Sequence, residues 1–168
     1  MSKENPMRKI KITKVLLSSG STGDDLIKEK KLLEILSGMK AQILTTSKRI
    51  PDFNVRPGLE VGTRVTLRGK KAIDLLKRLL AAVNNSLKKK QISENHFSFG
   101  IKEYIEIPGI EYQRDIGIKG FHVTVVLERA GLRVKRKKIK IGKVPKRQFI
   151  SPPEIIRFME ENFNTKFR

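Results

Sequence analysis

Residues 49–69 read RIPDFNVRPGLEVGTRVTLRG. The stretch opens as a loop, with prolines at 51 and 57 and glycines at 58 and 62, and closes as a strict alternation, Arg64-Val65-Thr66-Leu67-Arg68. Successive side chains of a strand point to opposite faces, so two arginines and a threonine share one side while Val65 and Leu67 share the other. A strand from Val61 to Arg68 with one apolar and one cationic face belongs in an antiparallel sheet covered on one side only.

The flanking segments supply the rest of that sheet and its cover. Upstream, KAQILTTSK (40–48) predicts a second strand. Residues 25–37 predict a helix with Leu26, Leu33 and Leu36 buried, Asp24 or Thr22 as its cap and Gly38 as its stop. Residues 8–17 alternate as a strand: Ile10, Ile12 and Leu16 share one side, Lys14 breaks the pattern, and Lys9, Lys11 and Thr13 face the other way. Downstream, residues 70–89 predict the strongest helix, with Ala72, Leu76, Leu79, Val83 and Leu87 in register and Ile73 and Leu80 beside them. Residues 91–119 are glycine-dense and read as irregular, with room for short strands near 97–107. FHVTVVLER (121–129) is a strand with Phe121, Val123, Val125 and Leu127 on one face. From Arg133 to Arg147 there are nine basic residues and no acid, an exposed strand or extension. A last helix starts with Ser151 as cap and Pro152 at its first position, and carries Ile155, Ile156 and Met159 as an apolar stripe. No internal repeat is present. The order predicts an α+β chain, one domain over residues 1–168 with a basic extension around 132–150. It is a mostly antiparallel sheet with helices packed on one face and the other face free for a ligand.

The ligand's sign follows from charge. The 168 residues hold 37 lysines and arginines against 17 acidic residues, a net charge of +20, where a small domain ordinarily carries a magnitude of about 2 to 8. Such an excess repels itself and calls for a polyanion, nucleic acid ahead of an anionic membrane surface, since no basic amphipathic helix with an aromatic face is present. The absence of cysteine removes disulfides and thiolate metal sites. The opening MSKENPMRKIK lacks the apolar core of a secretory signal, and no run of 18 apolar residues occurs, so an intracellular, cytoplasmic protein without membrane contact is expected.

Chemistry is sparse. GSTGDD before the first helix invites a phosphate-loop reading, but no G-x-x-x-x-G-K-[ST] is present and a plain capping loop fits better. His96 and His122 stand without a metal-ligating or triad neighbourhood, and His122 belongs on the strand face opposite the apolar one. Glu103, Glu106 and Glu111 read as solvated loop acids rather than a glycosidase pair. No cofactor or metal is expected, and no enzymatic activity. The basic residues are the informative ones: Lys9, Lys11, Lys40, Arg64 and Arg68 lie on strands or strand edges, among Thr13, Ser18, Gln42 and Thr66. Merged on one sheet face, they form a cationic, hydrogen-bonding surface suited to phosphates and ribose hydroxyls of a structured RNA. The ring-stacking signature of an RRM is missing, and Phe97 and Phe99 read as core.

Three stretches carry a family resemblance. GMKAQILTTSKRIPDFNVRPGLEVGTRVTLRG (38–69), KITKVLLSSG (11–20) and FSFGIKEYIEIPGIEY…GIKGFHVTVVLERAG (97–131) resemble the large-subunit ribosomal proteins of universal family five, which bind 5S rRNA. The basic stretch after Gly131 resembles the archaeal and eukaryotic branch, and the length of 168 residues points to the archaeal one. The resemblance implies a concave sheet face that clasps 5S rRNA and touches large-subunit rRNA in the central protuberance, alongside other 5S rRNA-associated ribosomal proteins. It also implies a loop at residues 48–58, with Lys48, Arg49 and Arg56, that reaches toward P-site tRNA and a small-subunit head protein at an intersubunit bridge. The family's RNA-contacting polar positions fall at Ser18, Met39 and Thr66. Ser18 stands where many bacterial members have Asn and can still donate one hydrogen bond. Met39 stands where many have Gln and cannot, so that contact either lapses or shifts to Lys40 or Gln42. The alternatives are a general nucleic-acid chaperone or chromatin-type protein, which would bind duplex DNA and any RNA alike, and an RNA-modifying enzyme, for which no convincing catalytic cluster exists.

Overall fold

The alternation at 64–68 builds an inner strand of a six-stranded sheet, one place in from its edge. In the computed structural model, which describes residues 5–168, the elements run β1 (Lys11–Ser19), α1 (Asp24–Ser37), β2 (Gln42–Thr45), β3 (Glu60–Leu67), α2 (Lys70–Ala82), β4 (Ser86–Leu87), β5 (Ile92–Ser93), β6 (His96–Ile101), β7 (Phe121–Glu128), α3 (Arg133–Arg136), α4 (Pro152–Phe163) and β8 (Lys166–Phe167). The first four residues of the opening segment lie outside the described residues. The strands of the main sheet lie in the order β2-β3-β1-β7-β6-β5, and every neighbouring pair is antiparallel. The architecture is the expected α+β layer.

Val15 and Leu17 of β1, Val65 and Leu67 of β3, Phe97 and Phe99 of β6, and Val123, Val125 and Leu127 of β7 form one buried layer. Against it lie Leu32, Leu33 and Leu36 of α1, Leu75, Leu76, Leu79 and Leu80 of α2, and Ile155 and Met159 of α4, all in the same core. Removing this apolar surface from water is the main stabilising contribution. Phe97 and Phe99 are therefore core residues, their rings 6.2 Å apart.

Several boundaries differ from expectation, each for a local reason. In β1 the core side chains are Val15 and Leu17, and Leu16 lies on the opposite face. The β1–β7 register shifts between Ile12 and Lys14, and one extra residue exchanges the faces of everything beyond it. Ile12 before the bulge still packs on the core. The second strand begins at Gln42 rather than Lys40. Neither Asp24 nor Thr22 caps α1. Gly23, at φ 67°, takes the N-cap position, and Ser21 instead hydrogen-bonds the buried Glu29. Gly38 stops the helix as expected, in the left-handed conformation. Helix α2 ends at Ala82, because Asn84 and Asn85 both adopt positive φ. Leu87 is consequently not a helix residue; it lies on β4 and pairs in parallel with Phe167 of β8.

The segment read as irregular contains β6, an inner strand of the sheet. Beyond it, Tyr104 is fully buried and its hydroxyl accepts from the Gln113 amide at 2.9 Å, which ties down a loop whose Glu103, Glu106 and Glu111 are exposed. The basic stretch takes the second of its two expected forms: an extension with one helical turn, α3, and no strand. It is held at both ends, by Arg136 on the Glu128 carboxylate and by the Arg147 carbonyl, which accepts from Arg129 at 3.1 Å.

Candidate nucleic-acid interface

Helices cover one face of the sheet, and the cross-strand register fixes what the other face carries. Residues directly opposite one another in an antiparallel pair project to the same side. Gln42 pairs with Arg64, Arg64 with Ser18, Ser18 with His122, and His122 with Gly100, giving one row across five strands. The next row runs Thr66, Leu16, Thr124, Ser98. Arg64, Gln42, His122 and Ser98 are exposed, and Ser18, Thr66, Leu16 and Thr124 are half-buried. This face is open, cationic toward β3 and dotted with hydroxyls toward β7.

Most of the expected residues meet here. Arg64 and Thr66 project from β3, with Val65 and Leu67 buried behind them. Arg68 follows the end of the strand and is exposed. Gln42 receives the Arg64 Nε–H at 3.1 Å, which steadies the guanidinium over the sheet. Ser18 lies between Arg64 and His122. Lys11 is exposed at the far end of β1, opposite Glu128. Lys9 lies before the strand, also exposed. Met39 and Lys40 do not join the rows. They sit past the Gly38 cap, beside Lys30 and Glu34 of α1, around a shallow depression. Of the two replacements considered for the Met39 contact, Gln42 is the one in the row.

His122 lies on the open face, as its alternation predicts, without being among the expected RNA-contacting residues, and Thr124, Ser98 and Lys14 lie there too. The alternation FSFGI, with Phe97, Phe99 and Ile101 buried, is the signal for Ser98 and Gly100. Lys14 reaches the face only because of the bulge beside Thr13, whose hydroxyl donates to Glu128 at 3.1 Å.

The loop between β2 and β3 is a narrow hairpin fastened twice. Near its base the Thr46 amide donates to the Leu59 carbonyl at 3.0 Å and the Gly58 amide to the Thr46 carbonyl at 2.7 Å. Toward its tip Ile50 and Val55 exchange both amide bonds, at 2.9 and 3.1 Å. Buried Val55 anchors it, while Lys48, Arg49 and Arg56 are exposed and Phe53 is 76% exposed.

Charge is unbalanced throughout. Among the described residues three ion pairs form, Lys119–Asp25 at 2.9 Å, Arg129–Glu154 at 2.7 Å and Arg136–Glu128. Hydrogen bonding from Lys119 holds the Asp25 carboxyl below its ordinary range. Burial pushes Glu154 up, but the Ser151 amide and the Arg129 guanidinium outweigh it and hold it low. No cation of the open face or of the 48–58 loop takes part in an ion pair among the described residues. No group of three His, Cys, Asp or Glu side chains among the described residues is placed to hold a metal, and no helix among them is long and apolar enough to cross a membrane.

Fold and face together define an α+β protein that offers an uncovered antiparallel sheet to a polyanion. Residues 60–147, from the start of β3 into the basic extension, match the C-terminus model of the ribosomal L5 family. Over nearly its whole length the chain is similar to large ribosomal subunit protein uL5 of Nanoarchaeum equitans, 42% identical across 97% of this chain and 98% of its relative. The uL5 protein of Sulfurisphaera tokodaii is 41% identical across 95% and 93%, and that of Archaeoglobus fulgidus 39% across 94% and 89%. The chain belongs to the uL5 family of large ribosomal subunit proteins, as an archaeal-type member. It is a structural constituent of the ribosome and not an enzyme.

Proposed function

We propose that the open sheet face holds 5S rRNA within the central protuberance, with large-subunit rRNA and other 5S rRNA-associated proteins around it. The observation that carries this is the row Gln42–Arg64–Ser18 beside Thr66, a fixed guanidinium among short hydrogen-bonding side chains on a surface that no helix among the described residues covers. Affinity comes largely from phosphate neutralisation and counterion release, to which Lys9, Lys11, Lys40, Arg64 and Arg68 contribute. Discrimination comes from hydrogen bonds of Ser18, Gln42 and Thr66 to base and ribose edges, since phosphates carry no sequence information. The twice-fastened loop, with Lys48, Arg49 and Arg56, projects from the sheet toward P-site tRNA and a small-subunit head protein. Met39 makes no polar contact in this reading.

Binding of the protein to purified 5S rRNA against excess tRNA at moderate salt tests the proposal. Retention of 5S rRNA under competition is the expected result. Equal competition by tRNA or duplex DNA would instead identify a general nucleic-acid chaperone.

A further inference from the structure

His122 occupies the middle of the open face, and its surroundings are unusually low. On β1 its neighbour is Ser18, along β7 it is Thr124, and on β6 it is Gly100. Gly100 is not one of the glycines with positive φ, so its backbone does not demand glycine. Its missing side chain leaves room that a methyl group would just fill at ordinary contact distance and a larger side chain would contest. A Cβ built there would lie 3.5 Å from Nδ1 of His122 and 3.6 Å from Cε1, so the imidazole leans across the strand and rests over the glycine. His122 is exposed, and its ring makes no hydrogen bond among the described residues. His96, also on this face, differs: its Nδ1 is engaged at 3.0 Å by the Glu94 carbonyl. The other rings of these strands, Phe97, Phe99 and Phe121, are turned into the core.

We propose that His122, seated over Gly100, is a stacking platform for one unpaired base of the bound RNA. This rests on the reading that the open face binds 5S rRNA, and it adds a contact the cations and hydroxyls cannot make. A base laid on the imidazole has the hydroxyls of Ser18, Thr124 and Ser98 around its edge. The Arg64 backbone stands two strand spacings away, roughly 10 Å, and its guanidinium leans further out to Gln42, on the side where a phosphate can be held. An A-form helix buries its base faces, so such a platform selects a bulged or looped nucleotide.

Filter binding of the full chain to purified 5S rRNA, with tRNA as competitor, tests this. His122→Ala and His122→Gln should each weaken 5S rRNA binding about 5- to 150-fold, the range spanned by loss of one base–aromatic stack. His122→Phe should bind within about threefold of the unaltered chain, since every aromatic face can stack. Gly100→Leu should push the ring off its seat and reproduce His122→Ala, and the double variant should be no worse than either alone. Should Gly100→Leu fail to fold, the exposed His122 series decides alone. Retention by His122→Gln with loss in His122→Phe would overturn stacking in favour of a hydrogen bond. A wild-type-like result for His122→Ala would overturn the platform while leaving 5S rRNA binding intact. Failure of the unaltered chain to prefer 5S rRNA over tRNA would remove the underlying reading and the platform with it.

Discussion

The Arg64 guanidinium donates through Nε to Oε1 of Gln42 at 3.1 Å, across the β2–β3 pair. A neutral partner positions the cation without neutralising it, so its charge remains available for a phosphate. Removing the charge and removing the positioning should therefore have separable effects. Arg64→Ala should lower the slope of log affinity against log salt by about 1. Gln42→Leu should leave the slope unchanged and weaken 5S rRNA binding only a few-fold, by about 1 kcal/mol or less. A filter-binding titration over a range of salt reads both quantities, and an unaltered slope for Arg64→Ala would contradict the role given to it.

Thr63 and Thr66 lie three residues apart on β3 and on opposite faces. Thr63 is fully buried on the helix side, and its hydroxyl has no partner there. Thr63→Val should raise the unfolding free energy by about 1 kcal/mol, by relieving a buried unsatisfied hydroxyl, with no change in RNA binding. Thr66→Val should do the reverse: near-unchanged stability, a loss of about 1 kcal/mol in preference for 5S rRNA, and nonspecific, salt-dependent binding nearly intact. Urea denaturation paired with competition binding separates the two, and equal loss by Thr66→Val toward 5S rRNA and an unrelated RNA would sink the specificity assigned to it.

Glu154 closes the capping box of α4 with Ser151 and receives Arg129 at 2.7 Å. Its carboxyl is held below the ordinary glutamate range, so the folded state binds that proton more weakly than the unfolded chain does. The stabilisation is present above the unfolded value and is lost as pH falls through the lower folded value. Glu154→Gln should accordingly be less stable than the unaltered chain near neutrality, and the gap should close in acid. The side chain is 42% exposed, so screening keeps the effect small and sensitive to salt. Urea midpoints taken at about pH 7 and about pH 3 provide the measurement.

The β2–β3 loop is fastened by main-chain bonds, not by its cations. Replacing Lys48, Arg49 and Arg56 together by alanine should therefore leave the fold and 5S rRNA binding unchanged. P-site tRNA should dissociate faster from ribosomes carrying the variant. A parallel loss of 5S rRNA affinity would show that the loop belongs to the sheet's ligand instead.

Much of the fold is legible in residue order, because a half-covered sheet writes its faces into the chain. The alternation at 64–68 puts Arg64 and Thr66 on the open side and Val65 and Leu67 inside, and 121–127 does the same for β7. Leu16 falls on the wrong side in such a reading because a bulge leaves no mark of its own in a stretch such as KITKVLL; it becomes visible only through the partner strand. Leu87 is drawn into α2 because its spacing continues the helical stripe, while two asparagines in the left-handed region end the helix before it. Ser98 and Thr124 escape notice for a different reason. Their significance is the row they form, and rows come from pairing between distant segments.

The bulge in β1 carries an evolutionary corollary. Excising Thr13 would join Ile12 directly to Lys14, and Ile10, Ile12, Val15 and Leu17 would then fall on one side in plain alternation, with Lys11, Lys14, Leu16 and Ser18 on the other. The contact to Glu128 is all that would be forfeited. Losing Lys14 would restore the same alternation with Thr13 in its place, whereas losing Val15, Leu16 or Leu17 would turn part of the strand inside out. The strand thus possesses one site, Thr13–Lys14, at which its length can drift through insertion and deletion without trading its interior for its binding surface, and a single-codon deletion scan read by thermal unfolding should find its mildest defects there.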